Sequence, residues 1–462
     1  MNINITNIMA CILTTYTASG LLFIPSFSNT QQRDTLSVSF YIKSKCLKAG
    51  VKIKFKNKSI GAKNYLWNFG DSTTSTLQNP SHIFTDFGFY QVSLTVTNVC
   101  DTASGCTSIY INPSTYNCNT VYDIPNDTIL SGNVIWTSDT IKVKGDVYIP
   151  NGNSLTIANI TVLFAPRGRI VVRKGGRLII NNSILDCIDN CMWQGIEVWG
   201  QTNLPSTDTT NQGQGRVYIT NNSTISNAYI GVLLGKRLQY GECHWFTKPV
   251  GGWDTQRSGG VIRAQNSHFT GNAVDIRFTL KSNNDGTANM LDSCIFTCPD
   301  SLKDSHFNLS NPNHNPGIHN SWAGYANANQ RTDIGIFSVG IAGLEITNST
   351  FNNLEYGIYT FDNQQTIVSN CKFSYHRQGI RDLKTMPSLV YSYDITLCTF
   401  DSIPGNTINV NSSNDDGTAI YLSGSYGDRI HDGNSFNNFY LPFINPVYGI
   451  KTNNASGFEI TN

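Results

Sequence analysis

One segment of the sequence is repeated often enough to set the architecture of most of the chain: Gly343-Leu-Glu-Ile-Thr-Asn-Ser-Thr-Phe-Asn-Asn-Leu-Glu-Tyr-Gly-Ile358. It is polar and rich in turn-forming residues, with apolar side chains at Ile346, Phe351 and Ile358. Variants of its central part recur from about residue 180 onward: Asn222-Ser-Thr-Ile225, Asn266-Ser-His-Phe269, Asn370-Cys-Lys-Phe373, and the weaker copies Leu397-Cys-Thr-Phe400 and Gly433-Asn-Ser-Phe436. An internal repeat of this kind predicts a solenoid rather than one ordinary compact core.

The spacing inside a copy is fixed, while the spacing between copies varies. The step from Phe351 to Phe373 is 22 residues, and the step from Phe373 to Phe400 is 27. Such variation is typical of a solenoid with insertions between its coils. We therefore expect each copy to be one coil of a parallel β-helix. The apolar residues would stack between coils, Asn side chains would form ladders, and Gly357 would lie at a tight corner.

Very short apolar runs precede the recognisable copies. Val147-x-Ile149 and Ile170-x-Val172 are examples, and Gly152 and Gly168 lie in the breaks between such runs. Strands this short and this frequent do not suit a large antiparallel sheet of ordinary strand length. They favour a chain that bends after each strand, so the coils are expected to begin near residue 131.

Residues 35–113 show a different pattern, in which apolar and polar residues alternate. Val51-x-Ile53-x-Phe55, Tyr65-x-Trp67-x-Phe69 and Tyr90-x-Val92-x-Leu94-x-Val96 each direct one apolar face to a core. Turn residues separate these runs. Several short strands at this spacing predict a β-sandwich.

Part of this segment resembles the polycystic-kidney-disease-type repeat, the PKD domain. The matching residues are Tyr65-Leu-Trp67-Asn-Phe69-Gly70-Asp71, Asn79-Pro80-Ser-His82-Ile-Phe84 and Gly88-Phe-Tyr90-Gln-Val92-Ser-Leu94. The resemblance implies an immunoglobulin-like sandwich, usually outside the cell, that acts as a spacer or contacts protein or carbohydrate. Trp67 is predicted to be a core residue. Asp71 could bind calcium or accept local hydrogen bonds, and we favour the local acceptor.

The region after the sandwich resembles the right-handed parallel β-helices of the pectate-lyase-like superfamily, and the combination is similar to PKD-plus-β-helix surface proteins of Bacteroidota. The predicted fold class is therefore all-β, an immunoglobulin-like β-sandwich followed by a right-handed parallel β-helix. We assign residues 35–113 to the sandwich, 114–130 to a linker and 131–462 to the β-helix. Residues 1–34 are either a signal peptide or the remnant of a preceding segment. The β-helix is expected to be truncated at residue 462.

Composition limits the partners and the compartment. A net charge of +1 creates no field for nucleic acid, so no nucleic-acid partner is predicted. The apolar stretch 8–24 is short and contains polar residues, so no membrane span is predicted. Twelve cysteines favour an oxidising, extracellular location. The pairs Cys187/Cys191 and Cys294/Cys298 have no histidine at ligand spacing, so no zinc site is predicted.

Four residues are candidates for catalysis. Asp415 and Asp416 resemble the Asp-Asp pair of glycoside hydrolases with this fold, but the Asn-Thr-Asp, Gly-His-Gly and Arg-Ile-Lys motifs are absent, and we favour a simple turn. Asp275 and Arg277 would share one face of a strand, as a lyase requires, although a surface ion pair explains them equally well. We predict no cofactor, with calcium left open.

Two long insertions offer aromatic side chains that could stack on sugar rings, or that could simply pin the loops to the β-helix. They span residues 235–260 and 303–333, and the candidates for carbohydrate binding are Tyr240, Trp245, Trp253, Trp322 and Tyr325. Our first hypothesis is a non-catalytic secreted or cell-surface protein that contacts polysaccharide or another surface protein. The alternative is a polysaccharide lyase or glycoside hydrolase that acts on one face of the β-helix. A third is an adhesin segment without a small ligand.

Overall fold

The structure is a computed structural model that describes residues 36–99, 101–166, 168–189, 191–201, 213–236, 259–279, 289–298, 334–376, 378–383, 393–401, 418–424, 428–437, 448–453 and 459–461. These residues are strands, turns and irregular segments, with no helix among them. They separate into two compact units, the first ending at Cys118 and the second beginning at Asn119. Each unit is described by itself.

The first unit is a sandwich of two antiparallel sheets. Its strands are β1 (Phe40–Ile42), β2 (Lys52–Asn57), β3 (Asn64–Asn68), β4 (Thr74–Ser75), β5 (Ser81–Ile83), β6 (Gly88–Thr97) and β7 (Thr102–Ile111). One sheet has the order β1-β2-β5 and the other β4-β3-β6-β7. Alternate residues of β2, β3 and β6 form the core, and Trp67 is fully buried in it, which confirms the prediction for this residue.

Polar and covalent contacts complete this unit. Asp71 accepts hydrogen bonds from the Thr73 backbone N–H and from the His82 ring, so it acts as the local acceptor that we favoured. A disulfide joins Cys46 to Cys118, and Cys106 is also disulfide-bonded. Covalent cross-links of this kind persist in oxidising compartments.

The second unit is a right-handed parallel β-helix built from three long sheets, and it confirms the predicted fold class. Sheet A contains β8 (Thr128–Ile129), β11 (Asp146–Ile149), β14 (Arg169–Val172), β17 (Gly195–Val198), β20 (Ile230–Leu234), β23 (Val274–Phe278), β26 (Ile334–Val339), β29 (Tyr356–Phe361), β32 (Gln378–Leu383), β35 (Thr418–Ser423) and β38 (Tyr448–Asn453).

Sheet B contains β9 (Asn133–Trp136), β12 (Ser154–Ala158), β15 (Arg177–Asn181), β18 (Arg216–Thr220), β21 (Val261–Gln265), β24 (Asn289–Asp292), β27 (Leu344–Thr347), β30 (Thr366–Ser369), β33 (Tyr393–Thr396), β36 (Arg429–His431) and β39 (Glu459–Ile460). Sheet C contains β10 (Thr140–Val143), β13 (Thr161–Phe164), β16 (Ile184–Cys187), β19 (Thr224–Ser226), β22 (His268–Thr270), β25 (Ile295–Thr297), β28 (Thr350–Asn352), β31 (Lys372–Ser374), β34 (Thr399–Asp401) and β37 (Ser435–Asn437). The chain passes through sheets A, B and C in turn, so each coil contributes one strand to each sheet.

The repeated apolar residues stack inside the coils, as predicted. Ile346, Phe351 and Ile358 are fully buried, one in each of the three sheets. Phenylalanine rings of sheet C form a continuous stack in which successive ring centroids are 4.6–5.2 Å apart: Phe269, Phe296, Phe351, Phe373, Phe400 and Phe436. Parallel strands are about 4.8 Å apart, so in-register rings meet face to face. The stack explains why phenylalanine recurs at this position.

The corner between sheets B and C is a short turn whose first residue has a left-handed backbone conformation. Asn348 and Asn370 have φ values of 51° there, a region that asparagine tolerates well. The Asn370 amide donates to Asn348 Oδ1 at 2.7 Å, and the Asn348 amide donates to Asp292 Oδ1 at 2.7 Å. The predicted asparagine ladder is therefore confirmed at this corner.

The prediction for Gly357 is wrong. The residue lies inside β29, not at a corner. A Cβ atom at this position would lie 2.6 Å from the Gly379 carbonyl oxygen and 2.8 Å from a ring carbon of Phe373. Glycine is needed because neighbouring coils approach closely, and the sequence pattern alone does not distinguish that cause from a turn.

Insertions are concentrated at the two ends of sheet A strands. The segment 235–260 connects β20 of sheet A to β21 of sheet B, and 303–333 falls between β25 of sheet C and β26 of sheet A. The connections between sheets B and C stay short along the β-helix. Chain segments of variable length therefore border sheet A. Because such segments commonly carry binding residues, the outer face of sheet A is the candidate functional region.

Candidate functional site

The outer face of sheet A carries a row of side chains in register from coil to coil. The adjacent row points inward and consists of core residues such as Val147, Ile170 and Ile358, so the alternating positions face outward. The outward row contains Tyr148, Val171, Glu197, Leu233, Arg277, Phe337, Tyr359, Arg381, Tyr421 and Lys451. Aromatic and cationic groups dominate this row, in contrast to the core.

Two carboxylates in the first coils hold one arginine. Arg169 on β14 donates from Nε to Asp146 on β11 and from a terminal nitrogen to Glu197 on β17, both at 2.8 Å. Tyr148 donates to Asp146 at 2.9 Å, and the Trp199 indole N–H donates to Glu197 at 2.7 Å. Arg169 lies on the strand between the other two, so a single guanidinium bridges three coils.

This network is largely removed from water. Burial raises the pKa of the Asp146 carboxyl, although Arg169 opposes that shift. Burial alone would lower the pKa of Arg169, but Glu197 and Asp146 raise it above its usual value, so the guanidinium stays charged. Both carboxylates are thereby engaged by a permanent cation, which suits a fixed structural role better than proton transfer.

A cluster of cations and rings lies beside this network. We name it the Trp199 cluster and define it as Tyr148, Arg173, Lys174, Trp199 and Lys236. The Arg173 guanidinium carbon is 4.8 Å from the centre of the Tyr148 ring and 5.8 Å from that of Trp199, and the Lys236 nitrogen is 4.8 Å from the centre of the Trp199 ring. All five residues are partly exposed. Rings that hold cations in this way orient them without neutralising them.

Arg173 differs from Arg169 in its partners. Within the described part of the chain no carboxylate pairs with Arg173, and its Nε is buried without a hydrogen-bond acceptor. Lys174 donates to a neutral acceptor, Gln201 Oε1, at 3.3 Å. The network and the cluster together contain four cationic side chains and two carboxylates, and the carboxylate of Asp127 accepts a hydrogen bond from the Asp146 N–H at 2.9 Å.

The later coils extend the outer row as alternating cations and rings. The Arg381 guanidinium carbon lies 5.4 Å from the Tyr359 ring centre and 4.8 Å from that of Tyr421, between two adjacent coils. It also donates to Gln378 Oε1 at 3.1 Å. The Lys451 ammonium nitrogen lies 5.9 Å from the centre of the Tyr421 ring. Unlike the Trp199 cluster, Tyr359, Arg381 and Tyr421 are buried, so this ladder is a packing device of sheet A.

Asp275 and Arg277 lie on β23 as predicted, but the alternative of a surface ion pair is wrong. Both side chains are buried, with 1% and 2% of their surface exposed. Asp275 Oδ1 accepts a hydrogen bond from the Asn272 amide at 2.8 Å, and the Arg277 guanidinium carbon is 4.9 Å from the centre of the Phe337 ring. A catalytic role for them stays a prediction.

The remaining candidates lie outside the described residues. These are the carboxylates Asp415 and Asp416 and the aromatic residues Tyr240, Trp245, Trp253, Trp322 and Tyr325. The sequence interpretation missed the role of Arg169. One pattern could have indicated this network. Asp146 and Tyr148, like Glu197 and Trp199, are two residues apart in or beside a short strand, so each carboxylate lies on the same face as an aromatic residue.

No group of three metal-binding side chains occurs among the residues that the structure describes. Two histidines there have other functions. His376 is fully buried between backbone carbonyl groups of Phe351 and Leu354, and burial lowers its pKa to about 4, so it is neutral near neutral pH. His431 lies between Asp432 and Asp394, whose hydrogen bonds raise its pKa.

Cysteine pairing is mixed. Cys187 and Cys191 form a disulfide, whereas Cys294, Cys371 and Cys398 are free and buried. The described part of the chain contains no helix with the length and apolarity required to cross a membrane.

Comparison with known proteins gives matches to both units. The PKD domain family matches residues 44–112. Collagenase ColA of Bacillus cereus is 31% identical over 100 residues, which is 21% of this chain and 10% of that protein. The chain thus spans about a tenth of the length of this curated relative.

Two solved structures represent the two architectures. The PKD1 domain of the Vibrio cholerae metalloprotease PrtV is 29% identical, with a TM-score of 0.15, and the match covers 17% of this chain and 96% of that one. A family 28 exopolygalacturonase of Yersinia enterocolitica is 10% identical, with a TM-score of 0.26, and the match covers 93% of this chain and 98% of that one.

The PKD family match therefore assigns the first unit, and the sheet topology assigns the second. An origin in Bacteroidota stays a prediction. PKD domains and disulfides are typical of extracellular proteins, and the combination fits contact with carbohydrate or protein outside the cell. Residues 44–112 are a PKD domain, and a right-handed parallel β-helix of three long sheets follows them.

Proposed function

We propose that this chain is a secreted or cell-surface protein that catalyses no reaction, and that its β-helix contacts an acidic polysaccharide at the Trp199 cluster. Arg173 carries this proposal. Its guanidinium is held over the rings of Tyr148 and Trp199, is partly exposed, and has no carboxylate partner among the described residues. A sugar carboxylate would supply a charged partner for this guanidinium.

The neighbouring cations strengthen this choice of ligand. Lys174 and Lys236 lie in the same cluster, so a chain of uronic acids could place successive carboxylates near several cations. A neutral glycan would leave the guanidinium without its charged partner. The aromatic candidates of the two insertions, such as Trp245 and Trp253, are proposed as further contacts.

The state of the carboxylates supports binding rather than catalysis. Asp146 and Glu197 share the cation Arg169, and Asp275 is buried beside Asn272. Glycoside hydrolysis needs one carboxyl that releases a proton and another that acts as base or nucleophile. Carboxylates committed to a permanent guanidinium are poorly suited to these roles, and the catalytic alternative is therefore the outcome that would contradict the proposal.

Arg173→Gln is expected to weaken binding to polygalacturonate by about tenfold, because one charge-assisted hydrogen-bonding group is lost. The full chain and the variant are compared by affinity electrophoresis in gels that contain polygalacturonate, alginate or neutral dextran. Binding to the acidic glycans should also weaken as salt is added, since the attraction is between exposed charges.

Arg177→Gln is the matched control. This substitution removes the same charge four residues away, but Arg177 is exposed at the start of β15 on sheet B. Its substitution should leave binding unchanged. Equal losses for the two variants, or equal retention of the chain by dextran and by polygalacturonate, would exclude the Trp199 cluster as the contact.

A further inference from the structure

The corner between sheets B and C contains an inward row of small polar or sulfur-containing side chains. In eight consecutive coils it is the residue immediately before the sheet C strand, and the members are Ser183, Ser223, Ser267, Cys294, Ser349, Cys371, Cys398 and Asn434. Several accept a hydrogen bond from the backbone of the preceding coil. Ser349 Oγ accepts the Cys294 N–H at 3.1 Å, and Asn434 Oδ1 accepts the Cys398 N–H at 2.8 Å.

Cys371 and Cys398 are consecutive members of this row. The register Lys372↔Thr399 places them opposite each other in adjacent coils, and the Thr399 N–H donates to the Cys371 carbonyl at 2.8 Å. Both thiols are buried, with 2% and 0% of the residue surface exposed. Cys371 Sγ donates to the Ser369 carbonyl and Cys398 Sγ to the equivalent Thr396 carbonyl, each at 3.3 Å, so the two side chains have the same orientation in their coils. The two sulfur atoms are therefore neighbours inside the β-helix.

The spacing of the coils matches what a disulfide requires. In-register residues on adjacent parallel strands have Cα atoms about 4.8 Å apart, within the range of about 4.4–6.8 Å that disulfides span. Cys294 does not have this opportunity, because its neighbours in the row are Ser267 and Ser349. Among the residues of the row, Cys371 and Cys398 alone combine two thiols in adjacent coils.

We propose that Cys371 and Cys398 form a disulfide that covalently links two successive coils of the β-helix when a small-molecule disulfide is the oxidant. This modification is independent of the glycan contact, and it requires only an oxidising environment, in which the other disulfides of the chain also persist.

The exchange balances without any other reactant. A hydrogen bond from Cys371 lowers the pKa of Cys398, so Cys398 is the better initial nucleophile. Its thiolate attacks one sulfur of the oxidant and releases one thiolate, leaving a mixed disulfide. Cys371 then gives its proton to the released thiolate and attacks Cys398 Sγ, which expels the second thiolate. This second thiolate takes up the proton that Cys398 lost to water when it ionised. Two cysteine thiols are oxidised by two electrons, and one oxidant disulfide is reduced to two thiols.

Burial predicts how the reaction proceeds. The oxidant reaches the sulfur atoms only when the turn that carries Cys398 opens, so oxidation should be slower than at an exposed thiol. Once formed, the cross-link holds β31 against β34 and restricts opening of the later coils. The oxidised chain should therefore unfold at a higher denaturant concentration than the reduced pair.

The test uses the full chain incubated with oxidised glutathione. Remaining thiols are alkylated in denaturant without reductant, and proteolytic peptides are identified by mass spectrometry. We expect a linked peptide pair containing Cys371 and Cys398, lighter than the sum of the two reduced peptides by two hydrogen atoms. Cys294→Ser should yield the same linked pair. Cys371→Ser should yield none and should lose the gain in denaturation midpoint on oxidation.

The wild-type peptide map decides the proposal even if a cysteine variant fails to fold. Alkylated, unlinked Cys371 and Cys398 after prolonged oxidation would overturn it, as would linkage of either cysteine to a different partner. A linked pair whose formation does not change the denaturation midpoint would overturn the stabilising role of the cross-link.

Discussion

Phe351→Ala should destabilise the β-helix by about 3–5 kcal/mol, the usual cost of removing a fully buried phenylalanine. The ring stacks between Phe296, at 4.6 Å, and Phe373, at 4.8 Å. Truncation leaves a cavity that neither coil can close, because backbone hydrogen bonds to the coils on both sides fix the strand. Chemical denaturation of the full chain, followed by far-ultraviolet circular dichroism, measures the change in the β-helix transition.

Ile295→Ala provides the comparison. Ile295 is paired with Thr350 on the adjacent strand of sheet C, but it faces outward and is 38% exposed. Its truncation should cost less than about 1 kcal/mol, because little buried volume is lost. Similar losses for the two variants would show that Phe351 does not occupy an inward stack.

Arg169→Met should also be strongly destabilising, by about 3–5 kcal/mol near neutral pH, because it leaves two shielded carboxylates without their cation. Only 2% of the Glu197 side chain and 15% of the Asp146 side chain are exposed. Arg177→Met, at an exposed position, should change stability by less than about 0.5 kcal/mol. Urea denaturation of both variants measures the difference.

The penalty of Arg169→Met should depend on pH in a defined direction. Without the guanidinium, burial raises the folded-state pKa of Asp146 above that of the unfolded chain. A carboxyl with a raised folded-state pKa lowers the free energy of unfolding when it is ionised. Protonation removes this penalty as the pH falls. The difference from the wild type should therefore shrink between about pH 7.5 and about pH 4.5.

Neutralising the carboxylates provides a second check on this interpretation. Adding Asp146→Asn and Glu197→Gln to Arg169→Met should recover much of the lost stability, because no uncompensated charge remains. An Arg169→Met variant as stable as the wild type, or a penalty that grows on acidification, would contradict the bridging role of Arg169.

The sequence was sufficient to predict the architecture where one coil resembles the next. Phe351 and its counterparts recur because each meets an identical ring in the neighbouring coil, and Asn348 recurs because its turn requires a left-handed backbone conformation. Similar environments select similar residues, so the repeat is visible without a structure. Gly357 recurs for the same reason, but close packing and a turn both select glycine, and the prediction chose the wrong cause.

The contacts of Arg169 with Asp146 and Glu197, beside the Trp199 cluster, could not be predicted in the same way. Asp146, Arg169 and Glu197 belong to coils with no repeated motif and with unequal lengths, so their register across sheet A is not visible in the sequence. Their contacts also join unlike residues, and no periodicity reveals them. The predicted insertions at 235–260 and 303–333, and the aromatic residues proposed there, lie largely outside the described parts of the chain.

Product analysis with the full chain tests whether the β-helix contacts acidic polysaccharides without cleaving them. The chain is incubated with uronic-acid and neutral polysaccharides, with and without calcium, and new reducing ends and unsaturated sugar products are measured alongside binding. We predict retention by the acidic polysaccharides and no product above that of a heat-inactivated sample. Formation of either product, abolished by Asp275→Ala or Asp415→Ala, would contradict a non-catalytic contact protein and establish a β-helix enzyme.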